Sequence, residues 1–530
     1  MSRISGFPAK SGFPAKGSIL ARSIADDLDR DLSSSHESAA TIVAPFTGQV
    51  LHKLPLSSVR DVQDAAERAR LAQLGWHKAG FAHRRAVLLR AHDLLLERRE
   101  LLLDAVQSET GKTRGQAFEE VFQAANAIRY YAVSARSTLR TRRRRAGIPL
   151  VLQTRVSYRP KGVVGIITPW NFPLSLSIMD VVPALAAGNA VVQKADNQGA
   201  LSILASRRAF IDAGVPAELW AVVAGDGSIV GNAVNDIANY ICFTGSTATG
   251  KLVAERAARA ITGASLELGG KNPMIVLDDV NAKQAAHSAV YACFASLGQL
   301  CVSIERIYLH RAVAEEFTRE FVSRTKALVQ GGAFDHSTDV GSLTLPSQLK
   351  NVQHHVEDAI AKGATLLAGG KSRTDLGPLF FEPTILTAVT AEMACATDET
   401  FGPVVAITIV DSVEEAVFAA NASPFGLNAS VFSGSRSRAR RVADALDCGS
   451  VNINDGYRAT FSSIDAPMGG MKQSGLGRRN GREGLLRFVD SRTVAEATGL
   501  LQLPRVGREF ANLTWPMITL LIALKLLRRR

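Results

Sequence analysis

The sequence predicts an α/β protein built on two doubly wound parallel-sheet domains. Three observations lead there. The chain has 530 residues, too many for one compact core and enough for two or three domains. Apolar residues make up 46% and charged residues 21%, the balance of a folded chain and not of a disordered one. From Val163 onward, short β-rich runs alternate with stretches of helical length, which is how parallel βαβ units read in sequence.

The elements follow in order. Residues 5–16 write Ser-Gly-Phe-Pro-Ala-Lys twice, and an acidic, Ser-rich stretch continues to about residue 40. Both predict a flexible N-terminal tail over residues 1–41, with the fold starting at Ile42. Residues 58–139 read as helices, with apolar positions at helical spacing through Ala86-Val87-Leu88-Leu89 and Leu94-Leu95-Leu96. Strands are then predicted from Val163 to Ile167, Ala190 to Gln193, Ala221 to Val223, Tyr240 to Phe243 and Met274 to Leu277. A second alternating block runs from about residue 273 to 450. Two blocks imply two domains with a cleft between them. Open parallel sheets bind ligands at the carboxyl ends of their strands, and the motifs below are expected just after predicted strands.

Charge and cysteine content exclude several classes. The net charge of +12 is concentrated in Arg140, Arg142 to Arg145, Lys525 and Arg528 to Arg530. Two short runs with little aromatic interleaving predict a solvated or subunit-edge segment, not a nucleic-acid surface. The five cysteines, Cys242, Cys293, Cys301, Cys395 and Cys448, are scattered without a CxxC pair or zinc-like spacing. That predicts no disulfide framework, no metal site and a reducing compartment. No apolar run follows the first basic residues, so no secretory signal is expected and the location is predicted to be cytoplasmic.

Four short motifs carry candidate chemistry. They are Pro169-Trp170-Asn171-Phe172-Pro173, Glu267 in Leu266-Glu267-Leu268-Gly269-Gly270-Lys271-Asn272-Pro273, Cys301 in Gly298-Gln299-Leu300-Cys301, and Glu399-Thr400-Phe401-Gly402-Pro403. Each alone is weak, since a lone cysteine is usually a small buried hydrophobe. Together, in the order Asn171, Lys194, Gly245, Glu267, Cys301, Glu399, they resemble the aldehyde dehydrogenase superfamily over about residues 42–500. The spacing of 34 positions from Glu267 to Cys301 resembles that of the hydrolytic members.

The resemblance implies a chemistry. A thiolate at Cys301 adds to the aldehyde carbon. The Asn171 amide and the Cys301 backbone N–H donate to the oxyanion. Hydride leaves for a nicotinamide, a thioester remains, and Glu267 is the general base for its hydrolysis. A base favours release of the free acid over transfer to coenzyme A.

The same resemblance implies the cofactor elements. Gly245 and Ser246, between a predicted strand and a helix, let backbone N–H groups approach a pyrophosphate. Thr168, Pro169 and Trp170 lead into Asn171 on the cofactor side. Lys194, after the strand Ala190 to Gln193, contacts the adenosine ribose. Asn197 stands where members that prefer NAD often carry Glu; it would not repel a 2′-phosphate. NADP is therefore the expected cofactor, with NAD as the alternative. Glu399 holds the nicotinamide ribose and Phe401 packs near the ring. Gly225-Asp226-Gly227 with Gly231 is read as adenine-side packing.

Within the family, Cys301-Val302-Ser303-Ile304-Glu305-Arg306, Ala466-Pro467-Met468-Gly469-Gly470-Met471 and Gly475-Leu476-Gly477-Arg478-Arg479 resemble a subgroup of bacterial succinate-semialdehyde dehydrogenases. Better-known enzymes for that substrate bind its carboxylate with two arginines, and Met179 and Ala295 stand at those positions. Only Ser463 matches the serine of that site. Arg306 and Arg458 are candidate replacements. Asp180 reverses a charge that is Lys in many members. The alternative is a dehydrogenase for medium- or long-chain aldehydes near membranes, to which the apolar run from Trp515 to Leu527 points. As a helix that run spans about 20 Å, too short for a bilayer core of about 30 Å. It is read either as packing on a neighbouring subunit or as peripheral membrane contact through residues 513–530.

The implied organisation is a cofactor domain over residues 42–139 and 162–269, a catalytic domain over 270–486, and an apolar, basic C-terminal tail over 506–530. A small β oligomerisation element joins residues 140–161 to 487–505. Its exposed strand edges imply a homodimer or homotetramer.

Overall fold

The computed structural model describes residues 17–35, 37–500 and 502–527. The repeated hexamer of residues 5–16 and Arg528 to Arg530 lie outside the described residues. The chain divides into two compact units, one of residues 1–135 and 161–488 and the other of residues 136–160 and 489–530.

In the first unit the chain joins the fold earlier than Ile42. A helix spans Arg22–Asp29, and the strand Ser38–Val43 pairs antiparallel with Val50–Leu56. Its anchors are Leu20, Ala25, Leu28 and Leu32, all buried. Asp27 and Asp31 pair with Arg208 from outside. The acidic, Ser-rich composition hid four apolar residues at helical spacing. The expected tail therefore does not extend through residues 17–41.

Helices Val59–Glu97, Arg99–Thr110 and Arg114–Leu139 follow. The first opens with a reciprocal cap between Ser58 and Asp61 and turns at Gly80, whose φ of 81° suits a residue without Cβ.

A six-stranded sheet holds, in spatial order, Gly475–Leu476, Gly263–Glu267, Tyr240–Thr244, Val163–Thr168, Ala190–Ala195 and Trp220–Val223. The last five are parallel; Gly475–Leu476 runs antiparallel to Gly263–Glu267. The strand order reverses between Val163–Thr168 and Tyr240–Thr244. That is the topological switch point, where the connections leave on opposite sides and open a crevice. All residues of Val163–Thr168 but one, and all of Ala190–Ala195, are buried, as expected of strands covered on both faces.

The seven-stranded sheet holds Thr365–Ala368, Thr384–Thr387, Val404–Val410, Ile304–His310, Asn272–Val276, Asn428–Phe432 and Ser450–Ile453. All are parallel except Thr365–Ala368. Phe294, Phe317 and Phe321 form part of its core, with ring centroids 5.9 and 5.6 Å apart. Only Leu268 to Lys271 link the last parallel strand of the first sheet to Asn272–Val276 of the second.

In the second unit, Val489–Ala497, Leu152–Pro160 and Arg142–Arg144 form an antiparallel three-stranded sheet. Arg142–Arg144 is an outer strand, so the arginine run is a sheet edge. The C-terminal helix spans Gly507–Leu526, 20 residues with none buried. It starts eight residues before Trp515 because Phe510 and Leu513 extend the apolar pattern, and it carries Pro516 internally. No helix of the described residues is long and apolar enough to cross a membrane.

Candidate active site

The site grows out of the switch point. Thr168 and Thr244 end two adjacent parallel strands. The chain after Thr168 runs through Pro169, Trp170 and Asn171 into the helix Pro173–Ala187, which opens with Pro at its first turn. The chain after Thr244 passes Gly245 to Ser246, whose hydroxyl caps the helix Thr247–Arg259 by accepting from Thr249 N–H at 3.2 Å. A Cβ on Gly245 would lie 2.6 Å from the Phe243 ring, so the turn has room only for glycine.

Glu267 is the last residue of its strand, in register with Thr244. The two glycines after it are sterically required. A side chain at Gly269 would run into the Glu399 carboxylate, and one at Gly270 would lie 2.6 Å from Asn272 Oδ1 and 3.0 Å from the Cys301 carbonyl.

Cys301 lies three residues before the strand Ile304–His310, at its amino end, and not after a strand as expected. After the helix Ala282–Phe294, three left-handed residues reverse the chain: Ser296 (φ 48°), Leu297 (φ 53°) and Gly298 (φ 73°). A Cβ on Gly298 would meet the backbone of Gly402. Strain of this kind clusters at functional sites. Asn272 Nδ2 donates to the carbonyls of Cys301 and Ser303, each at 2.7 Å, and holds the loop down.

The Glu399 segment is fixed by Glu305, whose carboxylate accepts from the N–H groups of Thr400 and Phe401, each at 2.9 Å. Gln348 Nε2 donates to the carbonyls of the same two residues. Glu399 Oε1 accepts from Gly270 N–H at 2.8 Å. These segments enclose a cavity of about 300 Å³ lined by Pro169, Trp170, Asn171, Gly245, Ser246, Glu267, Cys301, Glu399 and Phe401.

Four predicted residues lie outside that lining. Thr168 is buried and its hydroxyl accepts from Gln193 Nε2 at 2.7 Å; the outward-facing residues are Pro169 and Trp170. Lys194 lies inside the strand Ala190–Ala195, not after it, and is buried without an ion pair among the described residues. Asn197 spends its amide oxygen on Gly225 N–H at 2.9 Å. Ser463 is exposed and donates to the Ala459 carbonyl. Met179 and Ala295 are buried. Arg306 donates to the carbonyl of Lys271 and to Tyr308 Oη, so it is a structural residue. Arg458 lies over the Tyr291 ring, 4.1 Å from its centroid.

Leu176, Thr244, Leu268, Gly269, Gln348 and Asn351 also line the cavity and went unread. For Gln348 and Asn351 the only signal was their three-residue spacing after Pro346, the start of the helix Pro346–Ala361.

Asp180 has a clear setting. It is buried between two arginines: Arg479 reaches it with Nε at 2.9 Å and Nη2 at 2.6 Å, and Arg487 pairs with the same carboxylate. Burial raises the cost of its charge, but the two guanidiniums more than offset it and hold its pKa below the usual carboxylate range.

The reactive groups are shifted the other way. Burial pushes Glu267 up to about 7, against the opposing charges of Arg479 and Arg487. Burial, then the carboxylates of Glu267 and Glu399, push the Cys301 thiol up to about 12. The Arg479 charge opposes that rise, and forming the nucleophilic thiolate requires a base to take the proton. Burial pushes Glu399 up to about 8, helped by Glu305.

Asn171 Nδ2 donates to the Gln299 carbonyl at 2.9 Å, which leaves its second amide hydrogen for another acceptor. The Cys301 N–H lies against its own sulfur.

The site also fits a nicotinamide cofactor. Trp170 and Phe401 meet edge to face at 5.7 Å beside the half-buried Glu399, a helix N-terminus begins at Ser246, and Lys194 brings a positive charge that burial disfavours. Asp226, Gly227, Gly231 and Phe243 line a neighbouring groove, the place expected for adenine-side packing.

A cysteine, a buried carboxylate of raised pKa and an amide donor at a switch point define a thiol-dependent enzyme of the doubly wound class. The aldehyde dehydrogenase family model matches residues 32–494, and the chain belongs to that family. It is 48% identical over 462 residues to a putative succinate-semialdehyde dehydrogenase [NADP(+)] of Mycolicibacterium smegmatis, covering 87% of this chain and 89% of that protein. It is 50% identical over 457 residues to one of Mycobacterium ulcerans, covering 86% and 88%. Among solved structures, betaine aldehyde dehydrogenase from Staphylococcus aureus in complex with NAD+ superposes with a TM-score of 0.85 at 31% identity, covering 90% of this chain and 97% of that one. An NADP-dependent enzyme of E. coli gives 0.84 at 32% identity, covering 88% and 96%.

Proposed function

We propose that this protein oxidises succinate semialdehyde to succinate with NADP, through a thioester on Cys301. The observation that carries the substrate is that relatives 48% and 50% identical over most of the chain are named as succinate-semialdehyde dehydrogenases.

The chemistry follows from the site. Cys301 Sγ bonds to the aldehyde carbon as its proton passes to a base, and Glu267, at about 7, is the carboxylate facing it. The oxyanion takes the second Asn171 amide hydrogen and the Cys301 N–H. A bound nicotinamide supplies the hydride acceptor. Glu267 first releases the thiol proton to solvent; it then takes a proton from water as the water oxygen bonds to the acyl carbon, the C–S bond breaks, the Cys301 sulfur takes that proton back, and the acid leaves. Lys194 and Ser246 would hold the adenosine and pyrophosphate ends of the bound cofactor. Asn197 puts no carboxylate against a 2′-phosphate, which supports NADP over NAD.

The test is kcat/KM with NADP for succinate semialdehyde beside hexanal and decanal. A preference of more than about tenfold for the semialdehyde, about 1.4 kcal/mol in the transition state, is expected. A preference for decanal overturns the substrate and leaves the medium- or long-chain alternative.

We assign the three-stranded sheet to assembly, as a homodimer or homotetramer, because Arg142–Arg144 presents an unpaired edge. The exposed helix Gly507–Leu526 is assigned to a subunit contact, with an anionic membrane surface as the competing partner. Truncation after Val506, read by light scattering and by co-sedimentation with anionic vesicles, separates the two.

A further inference from the structure

We infer that Asp180 is a positioning residue for thioester hydrolysis: its two-pronged grip on Arg479 keeps that guanidinium from closing an ion pair with Glu267. This rests on the roles proposed above for Cys301 and Glu267.

The argument begins with what Glu267 lacks. Its Oε1 is buried and has no hydrogen-bond partner among the described residues. A buried carboxylate without a donor is costly, and a buried arginine is close by: Arg479 Nη2 donates to Thr244 Oγ1, and Thr244 pairs in register with Glu267. Left to themselves the two would pair. They do not, because two of the three Arg479 nitrogens are held elsewhere. Its Nε and Nη2 both donate to Asp180, and Nη2 also donates to Thr244 Oγ1 at 2.9 Å. Thr244 is the strand neighbour of Glu267, so the guanidinium is held one strand away from the base. Arg487 closes the far side, donating to Asp180 and, at 2.8 Å, to Ser265 Oγ.

The charged and titratable groups around Glu267 come from every element packed on it. They are Asp180 on the helix Pro173–Ala187, Arg478 and Arg479 after Gly475–Leu476, Arg487 after the helix Gly481–Leu486, and Cys301 on its loop. With Glu267 ionised, the set of Asp180, Glu267, Arg479 and Arg487 carries two charges of each sign. The arginines thus support the carboxylate from a distance and leave its Oε1, which has no protein donor among the described residues, to a water that enters the cavity. Direct pairing would lower its basicity and occupy the oxygen that must take the proton.

The experiment uses the full chain with p-nitrophenyl acetate, which acylates Cys301 with release of p-nitrophenolate and leaves a thioester that only hydrolysis clears. It requires neither cofactor nor the semialdehyde, so failure of the substrate assignment and failure of this inference are distinguishable. In Asp180→Asn, a burst of about one p-nitrophenolate per site is expected, followed by a steady rate at least tenfold below the parent, with the acidic limb of that rate moved to lower pH. Asp180→Glu should recover much of the rate. Arg479→Gln, which leaves Asp180 its Arg487 partner should Asp180→Asn fail to fold, should move the acidic limb to higher pH. A steady rate in Asp180→Asn within twofold of the parent overturns the inference. So does an equal fall of burst and steady rate, or an acidic limb that Arg479→Gln leaves in place. A parent that releases no p-nitrophenolate overturns the Cys301 chemistry and this inference together.

Discussion

Lys271 and Glu305 form a buried ion pair at 2.5 Å, and the same carboxylate holds the backbone of Thr400 and Phe401. A residue just after the base and one just after the nucleophile thus fix the segment that bears Glu399. Breaking a buried pair from one side costs about 3–5 kcal/mol. Glu305→Gln should therefore destabilise the protein by roughly that amount in denaturant titration. Because Phe401 loses its anchor, KM for NADP should rise more than kcat falls.

Glu267 sets a pH dependence whose sign is fixed. Its pKa is raised to about 7, and the base works only as the carboxylate. Steady-state hydrolysis should therefore rise with pH through about 7 and be lost below it. In Glu267→Gln that limb should vanish and the steady rate should fall by about 10²–10⁴, while the first equivalent of NADPH forms more slowly than in the parent because the Cys301 thiol has lost its base. Stopped-flow absorbance beside steady-state rates reads both.

Asn171 has one amide hydrogen on Gln299 and one for the oxyanion. Asn171→Ala should lower kcat by about 10²–10³ with little change in KM for NADP. A rise in KM alone would move Asn171 from the reacting oxygen to the cofactor.

Gly298 is needed for both its φ of 73° and its contact with Gly402. Gly298→Ala should displace the loop that ends in Cys301. Loss of thiol reactivity toward iodoacetamide-type probes, with the far-UV spectrum unchanged, is the expected reading.

Much of this was legible in the sequence because its cause is local. The strand from Val163 is a β-branched run closed by Pro169, and period and punctuation gave its span to one residue. Pro169, Asn171, Gly245, Glu267, Cys301 and Glu399 were legible as motifs, and they meet at one cavity because each flanks a strand end. The rest depends on partners far away in sequence. Asp180 made no sense alone; its account needs Arg479 and Arg487, which approach only when Gly475–Leu476 joins the first sheet. Glu305 read as part of a motif, yet its work is done on Thr400 and Phe401. Thr168 read as a ligand residue, but its hydroxyl is claimed by Gln193 from the adjacent strand. The first helix escaped notice because composition outweighed the spacing of Ala25, Leu28 and Leu32.

The short link from Leu268 to Lys271 gives the base a mechanical role. Glu267 stands beside one of the two chain crossings between the sheets, the other running from Ile453 to Gly475, while Cys301 and Glu399 lie on loops that lead into strands of the second. In any rocking of one sheet against the other, a group at the fulcrum travels least and groups on the lever arm travel most. Rocking of that kind would swing Cys301 through a larger arc than Glu267, which stays with its first-sheet partners Thr244 and Gly475.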